Sequence, residues 1–374
     1  MQRAACATGI LFTLSSVASA QEVVTSTWGS LPEGREIQLF TLTNKQGTRV
    51  RIAEYGALLV SAETKNREGK LGNITLSYDS LEAALAGGVY GSVIGRFANR
   101  IDGGGFRIDG KRFDLESVNA RTNVHIHGGK TGFHRQPWSG RADADEDAAR
   151  VVLSLTSPDG HEGYPGTVEA TVTYELSNDD LLRVRYRATT DKPTHVNLTN
   201  HAYFNLAGTG DILEHELHLV SENRLDIDDR KIPTGKLVAV AQTPFDFREA
   251  KRIGKDIEAI EGGGYDHCFV IPAPESEEDA PSLPAFATLT DPESGRTLSV
   301  ATSKPGAQIY TANHFKGNPY PRWAGICFET QFYPDTPNHP DFPSSLLRPG
   351  EVYDHTTEFR FGLREKPGEE KIDE

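Results

Sequence analysis

Residues 193–206 set His195 and His201 with Asn197, Asn200 and Asn205 among apolar and β-branched side chains. Asn is unusual inside a strand, because its amide competes for the backbone's own hydrogen bonds. Such polar groups need partners, or a ligand that supplies them. An imidazole gives or takes a proton near neutral pH, which makes His201 a candidate acid or base. A strand end whose His and Asn satisfy a turn explains the same residues equally well. Glu329 stands in the run Gly325-Ile326-Cys327-Phe328-Glu329-Thr330-Gln331, where a carboxylate is costly unless it is paired or used. Asp266 opens a second apolar run that continues through Cys268, Phe269 and Val270. Residues 95–101 place Arg96, Asn99 and Arg100 after a tight Gly95, and His125-Ile126-His127 runs into the pair Gly128-Gly129, which admits close backbone or ligand approach. Each motif is weak singly. Together they gather imidazoles, carboxylates, Arg and Asn on separate strands, a set suited to proton transfer on a polyhydroxylated ligand.

Two other chemistries compete. In an extended strand His125 and His127 share a face, so His-x-His admits zinc, with His201 or Asp266 as a third ligand. The Gly pair that follows, and the lack of a recognisable partner for either imidazole, weigh against it. A phosphate loop is excluded: no Gly-rich turn leads into a helix bearing Lys and Ser or Thr.

The elements that must position these groups are strands. Val168, Ala170, Val172, Tyr174 and Leu176 alternate with polar residues, as do Leu182, Val184, Tyr186 and Ala188 with Arg183, Arg185 and Arg187. Ser177-Asn178-Asp179-Asp180 between them is turn chemistry, which predicts an antiparallel hairpin with one wet face. Phe359, Phe361 and Leu363 alternate again. Helical periodicity is confined to residues 80–86 and 248–260. The expected fold is all-β, a large antiparallel sandwich with few short helices.

The chain has 374 residues, 37% hydrophobic and 25% charged, with a net charge of −14. That balance argues against nucleic acid and anionic membrane as partners, since both reward positive charge. No apolar stretch is long enough to span a bilayer as a helix. Arg3, the apolar run Gly9-Ile10-Leu11-Phe12-Thr13-Leu14 and Ala18-Ser19-Ala20 match a cleaved secretory signal over residues 1–20, implying a periplasmic or secreted protein. Residues 21–365 then form one catalytic domain, and residues 366–374 a charged tail. Cys268 and Cys327 remain, each read first as a buried small hydrophobe. Alternation sets Cys268 on the face of Asp266 and Cys327 on that of Glu329. If those carboxylates converge from neighbouring strands, an exported protein could join the two sulfurs.

Taken in order, these motifs resemble the aldose 1-epimerase (galactose mutarotase) family. The likeness runs from Gly29-Ser30-Leu31-Pro32 to Phe361. It includes Ile94-Gly95-Arg96-Phe97-Ala98-Asn99-Arg100-Ile101, His127-Gly128-Gly129 with Gly132-Phe133 and Trp138, Ser157-Pro158-Asp159-Gly160, and Glu162-Gly163-Tyr164-Pro165-Gly166. Residues 196–206, Asp266-His267, Gln308, Glu329-Thr330-Gln331, Leu347-Arg348-Pro349-Gly350-Glu351 and Tyr353-Asp354-His355 complete it. The resemblance implies a sandwich with an open sugar cleft, a small-molecule aldose as partner, and neither cofactor nor metal. It implies Glu329 as general base at the C1 hydroxyl, His201 as general acid at the ring oxygen, and His127 as a second imidazole beside that oxygen. It places Asn99, Arg100, Asp266, Gln308 and Tyr203 at positions that bind the sugar. His125 and Cys268 depart from the common pattern and bear on substrate preference.

The residue types fit that chemistry. An aldose ring is a hemiacetal, and opening it needs one proton removed at the C1 hydroxyl and one delivered to the ring oxygen. A carboxylate (ordinarily about 4.3) and an imidazole (about 6.5) supply both protonation states together. An ionised Glu329 with a protonated His201 predicts a bell-shaped pH profile, its alkaline limb at or above about 6.5 if nearby carboxylates favour the imidazolium. A glycoside hydrolase using Asp266 and Glu329 as its carboxylate pair, a non-catalytic sugar-binding sandwich, and a hexose-phosphate epimerase with a cationic phosphate site are the rivals.

Overall fold

A computed structural model describes residues 21–272 and 283–365. The predicted hairpin is present: Val168–Ser177 pairs antiparallel with Leu181–Thr190, Val172 opposite Tyr186 and Tyr174 opposite Val184. Its inward residues are fully buried. Its wet face carries Arg183 against Glu175 and Glu358, and Arg185 against Asp354. Exposed pairs of this kind contribute little stability each.

This hairpin lies in a nine-stranded antiparallel sheet, flanked on one side by Ala148–Ser157 and on the other by Tyr353–Leu363 and Arg296–Thr302. A seven-stranded sheet holds Asp266–Val270, Gly306–Tyr310, Ile326–Gln331 and Tyr203–Phe204 as consecutive neighbours. A five-stranded sheet comprises Glu22–Ser30, Glu36–Thr43, Arg49–Ala53, Leu58–Lys65 and Leu71–Asn73. The two large sheets meet through one apolar cluster: Val172, Val184 and Phe359 from the first, Phe204, Ile309 and Phe328 from the second. The Phe204 and Phe359 rings touch across the interface, their centroids 5.2 Å apart. The fold is the expected antiparallel sandwich.

The short helix is Leu81–Ala86, capped by Ser80 whose hydroxyl accepts from the Ala83 amide. The second helical expectation, over 248–260, is wrong. Lys251–Arg252 pairs with Leu217 and Glu216 as a strand, and single 3₁₀ turns follow at Ile253–Lys255 and Ile257–Ala259. Ile253, Ile257 and Ile260 are all buried. Their spacing imitates a helical stripe, but successive turns place them on the core. Leu363 also departs from expectation, ending its strand 49% exposed. The signal segment over 1–20 and the tail over 366–374 lie outside the described residues.

Candidate active site

The site grows from one consequence of strand geometry. Side chains alternate between faces, and directly paired residues share a face. Along Ile326–Gln331, Ile326 and Phe328 enter the sandwich core while Cys327 and Glu329 face away. Glu329 pairs with Gln308, and Gln308 with Cys268. Cys327 pairs with Tyr310 and Tyr203, and Tyr310 with Asp266. The outer face therefore presents Tyr203, Cys327, Glu329, Gln308, Tyr310 and Asp266 together. That is why a carboxylate tolerates an otherwise apolar run.

His201 reaches this face from the segment after Thr199–Asn200, which pairs with Val93–Ile94. The Tyr353 hydroxyl donates to the Leu198 carbonyl or accepts from its amide, bracing the approach. His201 Nε2 stands 3.5 Å from Glu329 Oε1, and both side chains are buried. The His201 ring stacks on Tyr203, centroids 5.0 Å apart. Its Nδ1 lies 3.4 Å from the Cys327 sulfur. Burial pushes the Glu329 carboxyl up to about 8, with Asp266 reinforcing and Arg100 opposing. Burial also brings the His201 imidazole down to about 4. Each group prefers its neutral form, so the pair holds one proton between them across the neutral range. The sequence-based expectation of a raised imidazole therefore fails: loss of solvent outweighs the nearby Asp266 charge.

Asp266 is the charged counterpart. Burial would raise it, but Arg100 and a hydrogen bond from Gln308 outweigh that and hold it below its usual range. Arg100 Nη2 is 3.6 Å from Asp266 Oδ2, and Gln308 Nε2 donates to Asp266 Oδ1 at 2.6 Å. Gln308 Oε1 and Glu329 Oε2 are buried with no hydrogen-bond partner among the described residues. Orphaned acceptors on a polar face are what sugar hydroxyls satisfy.

His127 arrives by a different device. His125–Ile126 pairs with Ile101 and Arg100, but His127 then adopts φ 52°. That left-handed turn ends the alternation and swings its ring to 5.3 Å from the His201 ring. Gly128 must be glycine: its φ is 75°, and a Cβ there would sit 1.9 Å from the Gly95 carbonyl oxygen. Asn99, itself at φ 66°, donates its backbone amide to His127 Nδ1 at 3.2 Å and accepts from Arg100 Nη1 through Oδ1. Glu162 ties the loop from behind, accepting from the Thr131 amide and hydroxyl.

The His-x-His zinc reading is thereby overturned. His125 is buried elsewhere, with Nδ1 on the Glu116 carbonyl and its ring against Tyr164. His127, His201 and Glu329 do bring ligand atoms within 4.8 Å of one another. But His127 Nδ1 accepts an amide proton, so its Nε2 carries hydrogen and points a donor at the site. Metal-binding imidazoles do the reverse, donating from the second nitrogen. The donor set fits a polyol better than a cation.

The two cysteines are free. They stand on strands separated by Gly306–Tyr310, not on neighbours. Two strand spacings are roughly 10 Å, beyond the ~7 Å Cα separation that a disulfide can bridge. Arg96 is likewise not part of the site. It is buried and spends its guanidinium on Ser157, Pro158 and Pro165. Arg100 is committed to Asp266 and to the Asn99 side chain.

Sequence reasoning missed the wall around Tyr203. Tyr90 and Phe315 pack on it at 5.3 and 5.2 Å, and Tyr320 packs on Tyr90 at 5.9 Å. It also missed the Cys327–His201 contact. The aromatics are scattered along the chain, so no local pattern announces them.

Comparison with known proteins gives the family. The family described as aldose 1-epimerase matches residues 38–360. The chain is 39% identical over 352 residues to galactose mutarotase of Homo sapiens, covering 91% of this chain and 99% of that protein. It is 36% identical over 344 residues to aldose 1-epimerase of Escherichia coli, covering 88% and 96% respectively. A crystal structure of galactose 1-epimerase from Lactobacillus acidophilus aligns with a TM-score of 0.82 at 28% identity, over 92% of this chain and all of that one. In sequence and in fold, this chain belongs to the aldose 1-epimerase family.

Proposed function

We propose that this protein interconverts the α and β anomers of free aldoses. The observation that carries the reading is the buried His201–Glu329 contact of 3.5 Å on a polar face whose acceptors are unfilled. Glu329 takes the proton of the C1 hydroxyl. His201 delivers a proton to the ring oxygen as the C1–O5 bond breaks and the C1 carbonyl forms. Rotation about C1–C2 turns the other carbonyl face to the C5 hydroxyl, and the same groups reverse their roles on closure. The single proton held by the pair is the one the reaction moves. His127 offers Nε2–H to the oxygen that gains charge. Asp266, held ionised by Arg100, and Gln308 orient the sugar hydroxyls, with Asn99 fixing His127 and Arg100 in place. Tyr203 supports His201 by stacking.

The hydrolase alternative is weaker. It asks one of two carboxyls to donate a proton to a leaving group. Asp266 is committed to Arg100 and Gln308. Polarimetry of freshly dissolved α-anomers of several aldoses, beside chromogenic aryl glycosides, separates the readings. Accelerated rotation change without chromophore release is expected; chromophore release would favour hydrolysis.

Gln308→Ala and Asn99→Ala should weaken sugar binding more than turnover. Loss of a hydrogen bond to or beside a charged group costs roughly 1.5–3 kcal/mol, so KM should rise about 10- to 100-fold. Initial rates across sugar concentration decide this. An unchanged KM with collapsed kcat would move either residue into the chemical step.

We infer further that residues 21–365 act as one unit and that residues 1–20 direct export. A shared apolar cluster running from Phe40 to Phe361 supports the first. The charged, apolar and small-residue order of the N-terminus supports the second. Mass spectrometry of protein from its native host should find a mature chain beginning near Gln21; retention of residues 1–20 would contradict export.

A further inference from the structure

For His201 to take and return a proton at Nε2, its other nitrogen must carry the second hydrogen. A neutral imidazole has one N–H, and the partner at the far nitrogen decides which it is. The far nitrogen here meets no carboxylate. It meets the Cys327 sulfur at 3.4 Å, and the ring is also hydrogen-bonded by His201's own backbone. Cys327 is completely buried and pairs across the strands with both Tyr203 and Tyr310. The Tyr203 hydroxyl also donates to the sulfur, occupying one lone pair and leaving another toward Nδ1.

We propose that Cys327 is a positioning residue for the acid: its sulfur accepts the Nδ1–H of His201 and so keeps Nε2 free for the proton exchanged with Glu329 and the sugar. The inference rests on His201 as proton donor and adds what sets its tautomer. The remaining groups around the imidazole are consistent with it. Glu329 faces Nε2, the His127 ring meets it edge-on, and Tyr203 covers one side. His134 and Asp266 act through charge alone, one lowering and one raising the imidazole's proton affinity. His201's own backbone also hydrogen-bonds the ring and favours a ring N–H, so it and the sulfur act in the same direction. A sulfur is a weak acceptor. It orders the ring without stabilising the imidazolium as a carboxylate would, so the acid stays strong enough for a feebly basic ring oxygen. Burial holds the thiol well above its ordinary range, so it stays protonated and does not become a thiolate beside Glu329.

The test uses the full chain and two variants. ¹⁵N-labelled histidine resonances of the sugar-free protein, assigned by comparison with His201→Asn, should show His201 as the Nδ1–H tautomer. Cys327→Ala removes the acceptor. It should populate the Nε2–H tautomer and lower kcat about 5- to 10-fold, the worth of one weak hydrogen bond, with KM within about twofold. Cys327→Ser restores an acceptor and should return kcat to within about threefold of wild type. A wild-type Nε2–H tautomer overturns the proposal. So does an unchanged kcat in Cys327→Ala, or equal losses in Ala and Ser, which would mean packing alone. The tautomer is read without turnover, so its failure is separable from failure of the proton-donor role, which the activity of His201→Asn decides.

Discussion

Glu329→Gln should lower the catalysed anomerisation rate by ~10²–10⁴-fold, and His201→Asn should do the same, with the fold retained. Both substitutions keep size and polarity and remove proton transfer. Glu329→Gln puts a neutral amide where the carboxyl already favours its neutral form through burial, so the core face behind it is undisturbed. The loss belongs in kcat rather than KM, because the amide still accepts a hydroxyl hydrogen through its oxygen. The effects should not add. Once either partner is gone, the shared proton has no second site, so the double variant should be about as slow as the worse single one. Polarimetric rates corrected for spontaneous mutarotation, with circular dichroism as the check on folding, measure this. Near-normal turnover in folded Glu329→Gln would remove the base from the account.

The second large effect is the pH profile. The pair works while it holds one proton. Burial raises Glu329 to about 8, so above that value the pair loses its proton and the rate falls. Burial lowers His201 to about 4, so below that value the pair gains a second proton and the rate falls again. Between the limbs, kcat/KM should be nearly flat, and outside them it should change about tenfold per pH unit. The limbs belong to the coupled pair, not to single residues. The proton rests mostly on Glu329, whereas turnover uses the form with the proton on His201. That minority form keeps the same pH dependence, because moving a proton within the pair leaves the count unchanged. An alkaline limb near the ordinary imidazole value of about 6.5, unmoved in Glu329→Asp, would instead assign it to His201 or another imidazole.

Much of this site was legible before the fold was known. Period-two alternation exposed the hairpin at 168–190, and Glu329 stood out as a carboxylate following the apolar run Ile326-Cys327-Phe328. What alternation could not show is where it stops. The left-handed turn at His127 separates it from His125, so the shared face that strand alternation gives the two imidazoles is not formed. Strand order was equally hidden. Cys268 and Cys327 do face the same side, but Gly306–Tyr310 lies between their strands. Arg96 and Arg100 look alike in sequence, and only long-range packing makes one a buried brace and the other a partner of Asp266. At 248–260, Lys251 and Arg252 pair with Leu217 and Glu216, and the buried Ile residues at helical spacing lie in or just after two separate 3₁₀ turns. In each case local pattern lost to a contact distant in sequence.

The central claim is that Glu329 acts on a free C1 hydroxyl and that no glycosidic bond is cut. Anomeric proton signals of α-D-galactose and of its methyl α-glycoside, followed by NMR with purified protein, test it most directly. The account predicts that the free sugar reaches its α/β equilibrium much faster than without protein. The methyl glycoside, lacking the proton that Glu329 takes, should remain a single anomer. Release of methanol from the glycoside, or a free sugar that equilibrates no faster with protein than without, would contradict it.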